Sequence, residues 1–130
     1  LVLEKYTDAE TAARECLEIR QREAPDDWAF FHAKCVLGAA VAGQAKQARK
    51  QDPATADLNF AIAESLLVEG CNGLHERNDS LPDTAKARHR QAVQWVIDLY
   101  TAWEKPGQVA SWQQRLNELE SESRRQTPEQ

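Results

Sequence analysis

Two stretches of the 130-residue chain share one pattern: YTDAETAARECL at residues 6–17 and FAIAESLLVEGC at residues 60–71. Both begin with an aromatic residue, carry Ala and then Glu at the fourth and fifth positions, and have a small residue, Cys16 or Gly70, near the end. The two copies start 54 residues apart, and removing an insert of about 13 residues leaves a period of about 41, as in arrays of helical hairpins. The repeat therefore predicts an all-α fold of stacked antiparallel helix pairs.

Helical periodicity continues outside these stretches, and no segment alternates apolar and polar residues for long enough to indicate a strand. The first helix is predicted to begin at a Thr7-x-x-Glu10 capping box. Pro, Gly and Asp residues between the periodic segments set the other boundaries. The predicted helices cover residues 7–24, 28–44, 57–77, 83–104 and 106–122.

One helical domain is expected over residues 1–122, followed by a polar tail at 123–130. Residues 45–59 interrupt the repeat pattern and are interpreted as an insert, which either lengthens the second and third helices past the body of the domain or forms a mobile loop. Removing the insert should leave the core folded, because loop length costs little beyond closure entropy. Within it, Asp52 and Pro53 fit the N-cap and the first position of a helix.

The second predicted helix is apolar on nearly every side, so we expect it to lie in the middle of the domain. Glycine inside a helix costs about 0.5–1 kcal/mol relative to Ala, so Gly38 is better explained by a close approach of two helices. Trp95 and Trp103 are expected to be partly exposed, as residues that dominate binding energies in interfaces often are.

Leu37-Gly38 resembles the paired Leu-Gly in the first helix of a tetratricopeptide repeat, in the longer-helix variety of kinesin light chains. Phe60 and Ala63 resemble the second helix of such a repeat, and residues 96–100 repeat the first-helix pattern. The resemblance implies an α-solenoid of about two and a half repeats that winds into a right-handed superhelix. The chain departs from the family at Glu104, where a turn glycine is usual, and at Pro106, which replaces the turn aromatic.

A narrower resemblance is to the C-terminal repeat regions of bacterial multidomain Ser/Thr protein kinases. ARECLEIR at 13–20, PDDW at 25–28 and LLVEG at 66–70 carry it, and none of the kinase motifs is present. The resemblance implies part of a larger signalling protein, and a start at Leu1 without Met fits a fragment. The first helix would then be the second helix of a repeat whose partner lies upstream.

Composition and charge argue against several classes of protein. There are 16 Lys and Arg residues against 21 Asp and Glu residues, and a net charge of −5 argues against a nucleic-acid binder. The longest uncharged apolar stretch, residues 35–43, is far shorter than the roughly 20 residues of a membrane span. The three cysteines form no C-x-x-C pair, so we expect reduced core residues and a cytoplasmic protein.

No metal, cofactor or catalytic site is expected. The histidines, His32, His75 and His89, are far apart in the sequence, and neither a glycine-rich phosphate loop nor a G-x-S-x-G motif occurs. The chain itself is therefore predicted not to be an enzyme. An enzyme or ligand-binding domain with a buried site is the weaker alternative, because no nucleophile–base pair or metal cluster is recognisable.

The favoured hypothesis is a protein-interaction module whose inner groove holds a peptide or a neighbouring domain. By the family resemblance, the groove faces away from the packed side that carries Leu37 and Val96. The residues this selects are His32, Cys35, Ala39 and Ala42 on the second helix and Gln91, Gln94, Asp98 and Thr101 on the fourth. A structural spacer or self-association element is the alternative, with homo-oligomers forming through the uncovered first helix.

Overall fold

The computed structural model describes the backbone of residues 2–126 and the side chains of residues 8–125. It contains five α-helices, one short 3₁₀ helix and, within residues 2–126, no strand. The all-α prediction is therefore confirmed. The α-helices are α1 (Val2–Glu23), α2 (Trp28–Ala48), α3 (Pro53–Glu76), α4 (Asp83–Ala102) and α5 (Pro106–Gln126), and the 3₁₀ helix, η1, spans Asn78–Ser80.

The helices pack around α2. The most extensive contact is between α2 and α3, and α2 also packs against α1 and α4. Helix α4 contacts α3 as well, and α5 packs mainly against α4. The turns at 24–27, 49–52 and 103–105 are short, so each reverses the chain between antiparallel neighbours. The expected central place of α2 is confirmed, while winding into a superhelix stays a prediction.

The caps predicted at Asp27 and Asp52 are confirmed, whereas α1 and α3 begin before their predicted first residues, α3 at Pro53 rather than at residue 57. The Asp52 side chain accepts a hydrogen bond from the Thr55 backbone N–H at 3.3 Å, and Pro53 occupies the first turn of α3. Asp27 is the N-cap of α2, although its side chain makes no capping bond. Helix α1 begins at Val2, five residues before the predicted capping box at Thr7. The sequence between them contains no Gly or Pro to stop the helix from extending.

Segment 45–59 is mostly helical and lengthens α2 and α3 beyond their predicted ends. It forms the end of α2, a turn, and the start of α3. Ala45 and Ala56 within it are buried. The Arg49 guanidinium forms a hydrogen bond to the carbonyl oxygen of Ala102 and a salt bridge to Glu104. The segment is therefore packed against the turn between α4 and α5.

Trp103, at the C-terminal end of α4, joins the same contact. Its ring stacks on Phe60 of α3 at a centroid distance of 5.6 Å, and its indole N–H donates to Asp57 at 3.3 Å. The expectation that Trp103 is partly exposed is confirmed, and it connects α4 to the start of α3. At the other end of the chain, α5 continues to Gln126, four residues into the predicted tail, and residues 127–130 lie outside the described part.

Helices α2 and α3 approach closely at three glycines, Gly38, Gly70 and Gly73, the last of which faces the ring of Phe31. A Cβ atom on Gly38 would lie 2.7 Å from Leu67 Cγ, and one on Gly70 would lie 2.7 Å from the carbonyl oxygen of Phe31. The predicted close contact at Gly38 is therefore confirmed. The core beside it contains Leu37, Leu67 and the buried Cys71. Cys16, expected to be a core residue, is exposed, because α1 is in contact mainly with α2.

Candidate functional site

The eight predicted groove residues have different environments. On α2, His32 and Ala39 are half-buried, whereas Cys35 is fully buried and Ala42 is 6% exposed. On α4, all four residues are exposed: Gln91, Gln94, Asp98 and Thr101. Cys35 and Ala42 thus have almost no surface to offer a partner. That the eight form a single binding surface stays a prediction.

Cys35 is buried because α2 is covered on the side that was interpreted as the groove. Its Sγ atom lies 4.0 Å from the carbonyl oxygen of Leu67 on α3 and packs beside Gly70. The apolar character of α2 around its whole circumference is the signal that both of its sides would be covered. The family resemblance, by contrast, assigns one side of this helix to the groove.

The polar residues of α4 form an exposed stripe along the helix. Gln94 donates to Asp98 at 3.0 Å, and the Thr101 hydroxyl donates to the carbonyl oxygen of Ile97 at 2.8 Å. These bonds are local to α4 and hold no neighbouring element. The stripe therefore remains available to a partner, with Gln91 at its N-terminal end.

His32 links α2 to α4 through aromatic contacts. Its imidazole stacks on Trp95 of α4 at a centroid distance of 6.3 Å and an interplanar angle of 30°, and Trp28 lies 6.4 Å away on the other side. Trp95 is half-buried, as expected. This aromatic row fixes the position of α4 relative to the start of α2.

A cleft of about 300 Å³ opens beside His32, and we call it the α1–α2–α4 cleft. Its lining is largely apolar, with two arginines, Arg20 from α1 and Arg88 from α4. The remaining lining residues are Ala13, Cys16, Trp28, Ala29, His32, Ala33 and Val36. Of these lining residues, only His32 belongs to the predicted groove. The arginines lie 68 positions apart in the sequence, and no spacing rule joins them.

The α1–α2–α4 cleft carries two arginines that have no ionic partner among residues 8–125. Within residues 8–125, neither Arg20 nor Arg88 forms a salt bridge or a hydrogen bond to a side-chain acceptor. Burial and then the charge of Arg88 lower the pKa of His32, so its imidazole is neutral at pH 7. The His32 Nε2 atom is buried, and no group among the described residues forms a hydrogen bond to it. An anionic group in the cleft would complement the two guanidinium groups.

A second, larger cleft of about 710 Å³ lies between the end of α3 and α5 and is lined almost entirely by polar residues. Three of its polar groups are already engaged: Asn78 donates to Glu122 at 3.3 Å within the cleft, and Arg115 donates to Asn72, which lies outside the lining, at 3.1 Å. This polar cleft is therefore a weaker candidate for a partner than the α1–α2–α4 cleft.

Within the part of the chain that is described, no three His, Cys, Asp or Glu side chains are placed to hold a metal ion. None of the helices, over that same part, combines the length and apolar character that crossing a bilayer requires.

Comparison with known proteins found no matching family model, no similar curated protein and no similar solved structure. The resemblance to tetratricopeptide repeats therefore stays a prediction, as does the narrower one to kinase-associated repeat regions.

Proposed function

We propose that this chain is a protein-interaction module and that its α1–α2–α4 cleft receives an apolar side chain flanked by an acidic residue of a partner protein. The observation that carries the proposal is the pairing of an apolar lining with two arginines, Arg20 and Arg88, that have no acceptor within residues 8–125. Hydrogen bonds between charged groups, such as Arg and a carboxylate, are about twice as strong as those between neutral groups.

The size of the cleft favours a side chain over a larger ligand. Its volume of about 300 Å³ is at the lower end of the range for ligand pockets, about 300–1,000 Å³. Trp28 supplies a large apolar wall, and aromatic residues of this kind dominate the binding energy of interfaces. The arginines would then select for acidic neighbours of the inserted side chain.

The exposed stripe on α4 extends the surface that begins at the cleft. Gln91 follows Arg88 by one helical turn, and Gln94, Asp98 and Thr101 continue along the helix. Amide, carboxylate and hydroxyl groups of this kind can bind the backbone of an extended peptide. That the parent protein is a Ser/Thr kinase remains part of the proposal, supported by the sequence resemblance alone.

The test is a selection of peptides from a displayed random library, followed by measurement of the dissociation constant of the enriched peptides. We expect enrichment of peptides with a bulky apolar residue next to Asp or Glu, and at least a tenfold loss of affinity in Arg20→Glu and Arg88→Glu. Arg22→Glu is the matched control, because Arg22 is exposed on α1 and does not line the cleft. Enriched peptides that bind all four proteins equally would refute the assignment of the site.

Self-association is the alternative that one observation favours. Helix α1 contacts mainly α2, and its Ile19 is 43% exposed. Under this alternative, light scattering after size-exclusion chromatography would show a dimer that Ile19→Lys converts to a monomer. The proposed binding module requires no such dimer.

A further inference from the structure

His89 of α4 is completely buried at a point where four elements meet. Its Nδ1 atom lies 3.4 Å from Oδ1 of Asn78 in η1, and its ring centroid lies 6.0 Å from that of His75 on α3. Arg115 of α5 is close enough to act on it electrostatically. His89 is the one buried polar or charged side chain of residues 8–125.

The hydrogen bonds of Asn78 assign the tautomer of His89. Asn78 Nδ2 donates to Glu122 of α5 at 3.3 Å, which leaves Asn78 Oδ1 as the acceptor that faces the imidazole. The His89 proton therefore sits on Nδ1, and Nε2 carries a lone pair. Nε2 is buried and has no partner within the described residues, so this nitrogen is where an added proton would go.

The surroundings of His89 disfavour its protonation. Arg115 faces it from α5, His75 from α3 and Arg90 from its own helix, while the carboxylate of Glu122 reaches it only through Asn78. Burial and then these charges lower the pKa of His89 to about 4. A protonated His89 would be a buried cation beside other cations, without an anion in contact.

The same residues hold α5 in place. Arg115 donates to Asn72 at 3.1 Å and to the carbonyl oxygen of Cys71 at 3.4 Å, and Glu122 accepts from Asn78. The apolar contact of α5 is made by the buried Trp112, Leu116 and Leu119 and by the half-buried Val109. Helix α5 packs mainly against α4, so it is less firmly held than α2 or α3.

We propose that protonation of His89 releases α5 from α3 and α4 at mildly acidic pH, while the α2–α3 hairpin stays folded. Release lets water reach the imidazolium and separates it from Arg115. This response goes beyond the proposed partner binding and does not involve the α1–α2–α4 cleft.

The direction of the pH dependence follows from the lowered pKa. With a folded-state pKa of about 4 and an ordinary value of 6.5, the docked state has its full stability above about pH 6.5 and loses it progressively down to about pH 4. The linkage relation then gives an opening constant for α5 that is about 20-fold larger at pH 5 than at pH 7.

The test is amide hydrogen exchange at pH 7 and pH 5, corrected for the intrinsic change of exchange rate with pH. We expect protection in residues 106–126 to fall about 20-fold at pH 5, with protection in α2 and α3 unchanged. The loss should be absent in His89→Asn, whose amide can still donate to Asn78 and carries no charge. His75→Gln, at an exposed histidine, is the control and should keep most of the loss.

An NMR titration of the wild-type protein tests the proposal without depending on the folding of His89→Asn. We expect the His89 imidazole to titrate well below 6.5, together with amide shifts in α5, in η1 and in the part of α4 around His89, and none in α2. Titration near 6.5, or unchanged α5 amides down to pH 4, would overturn the proposal. So would a simultaneous loss of protection in all five helices.

Discussion

Arg49 and Glu104 form a salt bridge, with 2.8 Å between Nη2 and Oε2, that connects the turn after α2 to the turn after α4. Glu104 has a backbone φ of 60°, the left-handed region that favours glycine, and within residues 2–126 no other residue has a positive φ. The family that the sequence resembles usually has a turn glycine at this position. An ion pair and a strained backbone therefore coincide in one residue.

Glu104→Gly and Glu104→Ala separate these two effects. Both variants lose the salt bridge, which is mostly exposed and contributes little, but only glycine relieves the left-handed backbone. We expect the Gly variant to be more stable than the Ala variant by about 1 kcal/mol, measured by urea denaturation. Equal stabilities would show that the turn relaxes to another conformation.

Gly38→Leu should destabilise the protein by about 1–3 kcal/mol or more, because the new side chain would overpack the contact with Leu67. Its Cβ alone would lie 2.7 Å from Leu67 Cγ. Gly107→Ala is the control: nothing lies within 4 Å of the added atom, and the residue is in the first turn of α5. The control should be neutral or stabilising by up to about 1 kcal/mol. Denaturant melts of both variants check the prediction.

Tyr100→Phe should cost about 1–2 kcal/mol, since the buried Tyr100 hydroxyl donates to the Glu64 carboxylate at 2.7 Å and ties α4 to α3. Burial and then Glu64 raise the pKa of Tyr100 above its ordinary value of 10.0, so folding favours the protonated phenol. That stabilisation is complete below pH 10 and is lost as the pH rises further. Alkaline melts should show the loss in the wild type and not in Tyr100→Phe. Thr101→Ala, which removes a bond within α4, should change stability by less than about 0.5 kcal/mol.

Deleting segment 45–59 should unfold the domain or lower its melting temperature strongly, contrary to what the repeat pattern alone indicates. The deletion removes the buried Ala45 and Ala56 and the partners of Glu104 and Trp103. Shortening only the turn at 49–51 would test loop length separately. A melting temperature that stays near the wild-type value after the full deletion would show that these contacts contribute little.

Local signals in the sequence were sufficient to predict much of the fold. Asp52-Pro53 marks a helix start, because cap and proline act within one turn, and Gly38 marks a close contact, because glycine is otherwise unfavourable in a helix. The start of α1 was mispredicted because a capping box is also compatible with a helix interior.

The candidate site was harder to predict than the fold. Arg20 and Arg88 line the same cleft only because α1 and α4 both pack against α2. Their separation in the sequence does not predict that they share a cleft. For Gln94, the helical period predicts exposure, and the structure confirms it. The period does not predict whether a partner binds there.

The positions of the four tryptophans have a spectroscopic consequence. Trp28 lines the α1–α2–α4 cleft, Trp95 stacks on His32 next to it, and Trp103 stacks on Phe60 at the far end of α4. Trp112 lies on α5, with the Arg115 guanidinium 4.6 Å from its ring centroid. Intrinsic fluorescence in single-tryptophan variants would therefore report a bound peptide through Trp28 or Trp95 and the movement of the last helix through Trp112, without any attached label.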